Sequence, residues 1–170
     1  MNKKTLGFAL TGSFCTVPRV LELLPGLAEK YDIIPIVSEK TAATDTRFMS
    51  AAELLRRFEG ICGKKALRTV EDCEPIGPKK LLDLLVICPC TGNTLSKCAL
   101  GITDSSVTMA YKAQRRNLLP VLFGISTNDA LSGSAQNLGR LLDRRNTFFV
   151  PFGQDDPVNK ETSLVCDFSL

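Results

Sequence analysis

The chain has no histidine and no tryptophan, and aromatic residues make up only 6% of it. The first absence removes imidazole as a general acid, base or metal ligand, and with it every histidine-dependent mechanism. The shortage of aromatics leaves few side chains on which nucleic-acid bases could stack. There is no C-x-x-C pair among the seven cysteines at positions 15, 62, 73, 88, 90, 98 and 166. Their number is odd and their spacing is not that of a zinc site, so free thiols in a reducing compartment are expected. No apolar run approaches the length that spans a membrane. Lys3-Lys4 followed by Leu6 to Leu10 imitates a secretory leader, but Thr11-Gly12-Ser13 interrupts it early. A cytoplasmic protein is expected. Nor is there a strong excess of one charge. The 21 basic and 18 acidic residues leave a net charge of +3, and the basic pairs (Arg56-Arg57, Lys64-Lys65, Lys79-Lys80, Arg115-Arg116, Arg144-Arg145) are scattered. Scattered pairs suit solvated helix faces rather than a nucleic-acid patch.

What is present is an ordinary globular composition, 44% hydrophobic over 170 residues, enough for one domain. The stretch LLDLLVICPCTGNTLSKCALGITDSS, residues 81–106, organises the rest. Its apolar run, Leu81 to Cys88, suits a buried parallel strand, although periodicity alone does not separate this from a helix. Pro89 cannot donate to a ladder and should end it. Small and polar residues follow, and then a helix with Leu95, Cys98 and Ala99 on one face. Open α/β sheets present ligands at such strand-to-helix turns, where free backbone N–H groups favour an anion.

The same grammar recurs along the chain. Thr5 to Leu10 reads as a strand, turning at Thr11-Gly12-Ser13 into a helix over about 16–30 that Pro25 kinks or divides. The turn is neither G-x-G-x-x-G nor a Walker loop, since Ser13 stands where the lysine should be; it is a tight turn whose hydroxyls and N–H groups can hold a phosphate. Asp32 to Val37 is a strand ending at Ser38. Arg47, in the polar segment that follows, either clamps a carboxylate or pairs with a surface acid. Ser50 with Glu53 reads as a capping box opening a helix to Gly60. Residues 63–80 read as irregular, with a short strand or helical turn near 66–70. A helix from Ser105 to Arg116 precedes a strand over 120–125. Ser126-Thr127-Asn128-Asp129 closes that strand and caps a helix reaching about Arg144, in which Gly133 and Gly139 suggest close packing. Thr147 to Pro151 is the last clear strand. The turn holding Gln154 and Asp155 follows, and then a polar tail from about 158 that reads as extended or disordered. Strands alternating with helices define an open, mainly parallel sheet of five or six strands with helices on both faces, Rossmann-like or flavodoxin-like. The polar segments 11–13, 38–47, 91–94, 126–129 and 153–156 would gather at one sheet edge, where a phosphate-bearing ligand belongs.

PCTGNTLSKCALGITD, residues 89–104, resembles the P-x-x-x-N-T-x-x-K-x-A-x-G-x-x-D segment of the flavin-binding, cysteine-decarboxylase-like flavoproteins. That family includes phosphopantothenoylcysteine decarboxylase and the prenylated-flavin synthases. Pro89, Asn93, Thr94, Lys97, Ala99, Gly101 and Asp104 fall in place. GFALTGSFCT (7–16), TDTRF (44–48), GISTNDAL (124–131) and PFGQDDP (151–157) carry a narrower likeness, to a sporulation-linked branch of the family. The resemblance implies FMN. Thr11, Gly12, Ser13 and Ser38 would hold its phosphate, and Thr91, Gly92, Asn93, Thr94, Ser126, Thr127 and Asn128 would border its ring. Arg47, Lys97, Gln154 and Asp155 become substrate candidates, although Lys97 can equally orient its loop by pairing with Asp104. It also implies oxidation of a dihydrodipicolinate-type intermediate to dipicolinate, and self-association as a trimer or larger. A nicotinamide-using partner subunit would carry the NADP. No metal, nucleic acid or membrane is implied. The catalytic histidine of the family's decarboxylases has no counterpart, so their chemistry does not carry over and no catalytic residue is assigned. An alternative is a non-catalytic, structural or activating partner with a vestigial flavin site.

Overall fold

The computed structural model describes residues 3–169. Along the chain lie β1 (Thr5–Leu10), α1 (Val17–Lys30), β2 (Asp32–Val37), α2 (Glu39–Ala43), α3 (Ala51–Cys62), α4 (Val70–Cys73), α5 (Ile76–Lys79) and β3 (Leu84–Cys90). There follow α6 (Gly92–Leu100), α7 (Ser106–Arg116), β4 (Val121–Thr127), α8 (Ala135–Leu142), β5 (Thr147–Phe149), β6 (Phe152–Gly153) and β7 (Leu164–Cys166). The sheet runs β2-β1-β3-β4, with β5 beside the first half of β4. These five strands are parallel, in flavodoxin-like order. Beside the second half of β4, β7 and then β6 add antiparallel strands.

Alternation along the strands divides the core. Leu85 and Ile87 of β3 face one cluster with Phe123, Ile125, Leu95 and Val107, under α4 to α8. Val86 and Cys88 face the other with Phe8, Leu10, Leu21 and Phe58, under α1 and α3. Phe8 and Phe58 meet edge to face at 6.3 Å between centroids, a geometry that aromatic quadrupoles favour.

Several expectations are corrected. Pro89 does not end β3, which continues through it to Cys90; the register with β4 shifts between Ile87 and Cys90, and a bulge is where a sheet accommodates the missing donor. The Ser50 hydroxyl accepts from the Glu53 amide, but the Glu53 carboxylate turns to Arg56 at 2.8 Å, so the capping box is half made. Pro25 neither divides nor ends α1; it stands on the exposed side of the helix. Residues 63–80 hold two short helices and a bridge from Ile36 to Leu67. The helix expected from 128 starts only at Ala135, because the Asp129 carboxylate ties Thr127 and Ser134 into turns. Gly139 has open space around it and Gly133 only Asp129 at 3.6 Å, so neither marks close packing. The segment from 158 carries β7 and the buried Phe168.

Between α3 and the Leu67 bridge, Glu59 accepts from Lys65 Nζ at 2.8 Å and from the Ala66 amide at 3.0 Å. These bonds hold its carboxyl below the ordinary value of 4.5, the lysine bond contributing most. A depressed carboxyl pKa stabilises the fold above the unfolded value, and that stability is lost as the pH falls through the folded value. Glu59→Gln should therefore melt below wild type at pH 7, with the gap closing below pH 4.5. Melting curves at pH 7 and at a pH well below 4.5 check this, and a gap independent of pH would refute it.

Candidate functional site

The strand order reverses beside β1: the chain leaves β1 for β2 on one side and returns in β3 on the other. A crevice outside the carboxyl ends of β1 and β3 is therefore expected. The ends of these two strands are pinned by a side chain. Thr11 Oγ1 donates to the Pro89 carbonyl at 2.7 Å and accepts from the Thr91 amide at 3.0 Å, replacing ladder bonds past the bulge. Thr11 is 1% exposed. Its hydroxyl is spent on the scaffold, which corrects its assignment as a phosphate contact.

Two adjoining clefts open there, sharing Gly12, Phe14 and Thr91. The larger, about 480 Å³, also takes in Ser38, Thr41, Asn93, Thr94 and Lys97. Ser38 caps α2, its hydroxyl accepting from the Thr41 amide at 3.3 Å and lying 2.7 Å from Thr41 Oγ1. Thr91 caps α6 in the same way, accepting from the Thr94 amide at 3.3 Å. Three of the rim's four charges are used internally. Lys97 pairs with Asp104 at 2.8 Å, and Glu39 accepts from the Ser106 amide at 2.9 Å, tying α2 to α7. The smaller cleft, about 380 Å³, is lined by Ser13, Ser126, Thr127 and Asn128, with Cys15, Arg47 and Phe48. Ser13 Oγ and Ser126 Oγ lie 2.8 Å apart. Above this cleft α1 begins without a side-chain cap or an acidic first-turn residue, which leaves the positive end of its dipole to a ligand.

Gly92 is buried and lines neither cleft; a Cβ there would meet Asp129, Ser134 and Thr127 within 2.8 Å. It is the packing contact between α6 and the 127–134 turns. Gln154 and Asp155 are also outside both clefts. Gln154 donates to the Glu161 carbonyl at 2.7 Å and Asp155 pairs with Lys160 at 3.0 Å, so both brace the loop before β7. Bonds from Ser163 and then Lys160 hold the Asp155 carboxyl below its ordinary value. Phe14, Thr41, Phe48 and Ser105 line the clefts without having been singled out in the sequence. All seven cysteines are free, and burial pushes the Cys73 thiol up to about 12, far from a nucleophile at neutral pH. A larger depression, about 760 Å³, lies on the outer side of α3 and includes Lys64, which pairs with Asp32 at the opposite, amino end of β2. It is remote from the carboxyl ends of the strands. No helix among the described residues is long and apolar enough to cross a membrane, and none of their acidic and cysteine side chains cluster as metal ligands.

The chain belongs to the flavoprotein family, whose model matches residues 1–167, and the flavodoxin-like sheet with a hydroxyl-lined crevice at its switch point is in keeping with that membership. It is 46% identical over 168 residues to the B-subunit of dipicolinate synthase from Bacillus subtilis (strain 168), covering 98% of this chain and 84% of that protein. The crystal structure of the corresponding B-subunit from Bacillus halodurans superposes with a TM-score of 0.88 at 42% identity, over 99% of this chain and 88% of the other. The FMN-dependent cysteine decarboxylase SpaF shares the fold, with a TM-score of 0.70 at 21% identity over 98% and 90% of the two chains.

Proposed function

We propose that this chain is the FMN-binding subunit of a dipicolinate-synthase-type oxidoreductase, acting in the cytoplasm of a sporulating mother cell. With the synthase's nicotinamide-using partner subunit, which holds NADP, it contributes to oxidising a dihydrodipicolinate-type intermediate to dipicolinate. The observation that carries the reading is the pair of clefts meeting at Gly12 and Thr91, in a chain nearly half identical to the B-subunit of a dipicolinate synthase. The residues fit a flavin. Gly12 leaves its backbone open to close approach, Ser13 and Ser38 offer hydroxyls, and the uncapped start of α1 suits a phosphate. Asn93, Thr94 and Asn128 offer amide and hydroxyl groups to a heteroaromatic edge. When bound, a flavin supplies the two-electron acceptor, and the protein supplies position and electrostatics. An apolar groove of about 230 Å³ lined by Leu23, Leu27, Tyr31, Leu122, Val150 and Phe168 suits a second copy, in keeping with a trimer or larger assembly.

A second reading, a non-catalytic partner that activates the nicotinamide-using subunit, is favoured by one observation. Three of the four charged groups of the larger cleft, Glu39 and the Lys97–Asp104 pair, already have structural partners. The visible spectrum of the pure chain, titrated with FMN, separates the two readings. Flavin bands and saturable binding are expected, abolished when Ser13 and Asn93 are both replaced by phenylalanine. Absence of binding, with or without the nicotinamide-using subunit, would leave the non-catalytic reading.

A further inference from the structure

Two of the free thiols stand together. Cys88 of β3 and Cys166 of β7 both turn onto Gly124 of β4, where a Cβ would lie 2.5 Å from Cys88 Sγ and 3.2 Å from Cys166 Sγ. The missing side chain lets the two sulfurs approach one another over the strand. A bond from Cys88 is the main cause holding the Cys166 thiol below its ordinary value of 9.0. Both cysteines line the apolar groove of about 230 Å³, and Cys166 also lines a neighbouring cleft with Arg19. Neither of these cavities shares a lining residue with the two clefts of the crevice. The surroundings decide what the sulfurs can take. β3 and β7 flank β4 on opposite sides, so two strand spacings, roughly 10 Å, separate their backbones. Cysteines bridged directly have Cα atoms no more than about 7 Å apart, so a disulfide would require the strands to move. A cation held between the sulfurs adds two metal–sulfur bonds to the span. Hard donors are scarce. Asp167, the sole carboxylate lining the groove, already accepts from the Ser169 amide at 2.8 Å and from its hydroxyl at 2.6 Å. Among the described residues no three acidic or cysteine side chains gather as ligands, and the chain has no histidine. Two sulfurs alone do not serve zinc, which takes four ligands. They do serve a soft univalent ion, for which thiolate is the preferred donor.

We infer that Cys88 and Cys166 form a two-coordinate site for a soft univalent cation of the copper(I) class. Binding exchanges the two thiol protons for the metal without a change of oxidation state. One copper(I) enters, two protons leave to solvent, and the bis-thiolate unit keeps one negative charge. Arg19, in the cleft beside Cys166 and 5.0 Å over the ring of Phe168, offsets part of that charge. Phe8, Val86, Leu122 and Phe168 wall the groove and exclude the water that would compete as a ligand. Because Cys166 faces the neighbouring cleft as well, a second copy seated on the groove leaves that approach open. The site is independent of the flavin reading and can be loaded with or without FMN.

The test is anaerobic titration of the reduced full chain with the copper(I) complex of bicinchoninate. One copper per chain should be withdrawn from the chelator. X-ray absorption at the copper edge should then show two sulfur neighbours and no third ligand. Cys88→Ala and Cys166→Ala each leave one sulfur in an apolar wall, and each should bind copper(I) about 100-fold more weakly or worse. Cys62→Ala, which removes a half-buried thiol at the end of α3, should match wild type. Failure of an alanine variant to fold would leave the decision to the absorption spectrum of the wild-type chain. No copper withdrawn, three or four ligands at the metal, or wild-type affinity in either Cys88→Ala or Cys166→Ala would each overturn the site.

Discussion

A Gly92→Ala protein should lose about 2 kcal/mol of stability, in the range of overpacking, and bind FMN roughly tenfold more weakly. A Cβ at this position would lie 2.4 Å from Asp129 Oδ1, 2.7 Å from Ser134 Oγ and 2.8 Å from Thr127 Oγ1. These atoms form one bonded unit, because Thr127 donates to Asp129 at 2.6 Å and Ser134 donates to its other oxygen at 2.9 Å. None can step aside without breaking the unit. Ser134, 1% exposed at the start of α8, has nowhere to go. Thr127 and Asp129 are open enough to rotate, which is why the expected cost is moderate. The other way to relieve the clash is to withdraw the first turn of α6. That turn bears Asn93 and Thr94 and forms a wall of the larger cleft. Either response disturbs the crevice, since Thr127 lines its smaller half. Urea denaturation and FMN titration of the variant check this. An unchanged midpoint together with an affinity within twofold of wild type would sink it.

Gly92 shows how much of the site was legible. Its presence in a small-residue turn was visible, but what it packs against comes from a segment 35 or more residues away along the chain. Gly133 and Gly139 looked like packing glycines because they weaken a helix locally, and the structure gives them space instead. The parallel half of the fold was readable because each strand is a short apolar run followed by a turn and an amphipathic helix. Thr5–Leu10 and Asp32–Val37 form strands with those bounds. The antiparallel half was not readable. Leu164–Cys166 is a three-residue strand in a polar stretch, and it exists because Ser126 and Thr127 on one side and Phe152 and Gly153 on the other offer it partners. That added ribbon explains the misplacement of Gln154 and Asp155: they follow β6, and their bonds go to the loop before β7. Ser13, Ser38, Asn93 and Asn128 reach the crevice for a topological reason, since every parallel strand ends on the same edge. Phe14 and Phe48 have no such rule behind them. A single aromatic residue in a loop is identified as a lining residue only when its neighbours are known.

Arg144→Met should cost about 3 kcal/mol of stability. The Arg144 guanidinium donates to the Cys98 carbonyl at 3.1 Å, to the Ala99 carbonyl at 2.5 Å and to Tyr111 Oη at 3.0 Å. The two carbonyls belong to the last turn of α6, whose C-terminal acceptors lack partners within the helix. The cation also faces the negative end of the helix dipole. Cys98 and Ala99 are buried at 0% and 4%, so water has poor access to their carbonyls; without the fork the Ala99 carbonyl loses its donor and the Cys98 carbonyl keeps only the Gly101 amide at 3.4 Å. Methionine keeps the apolar stem and removes only the fork, so the loss reports the bonds rather than a cavity. Arg144 itself is half-buried, which keeps the figure well below the sum of three charged bonds. Lysine should restore little, because one ammonium cannot reach three acceptors that a planar fork spans. The consequence extends to the site, since α6 is a single 9-residue rod from its Thr91 cap to Gly101. Loosening its last turn raises the opening frequency of the whole helix, including the Thr91–Thr94 wall of the larger cleft. Amide exchange should therefore quicken along α6 in Arg144→Met while β1 and β2 keep wild-type protection. Uniform acceleration across the sheet would mean that the arginine supports the core as a whole rather than this helix.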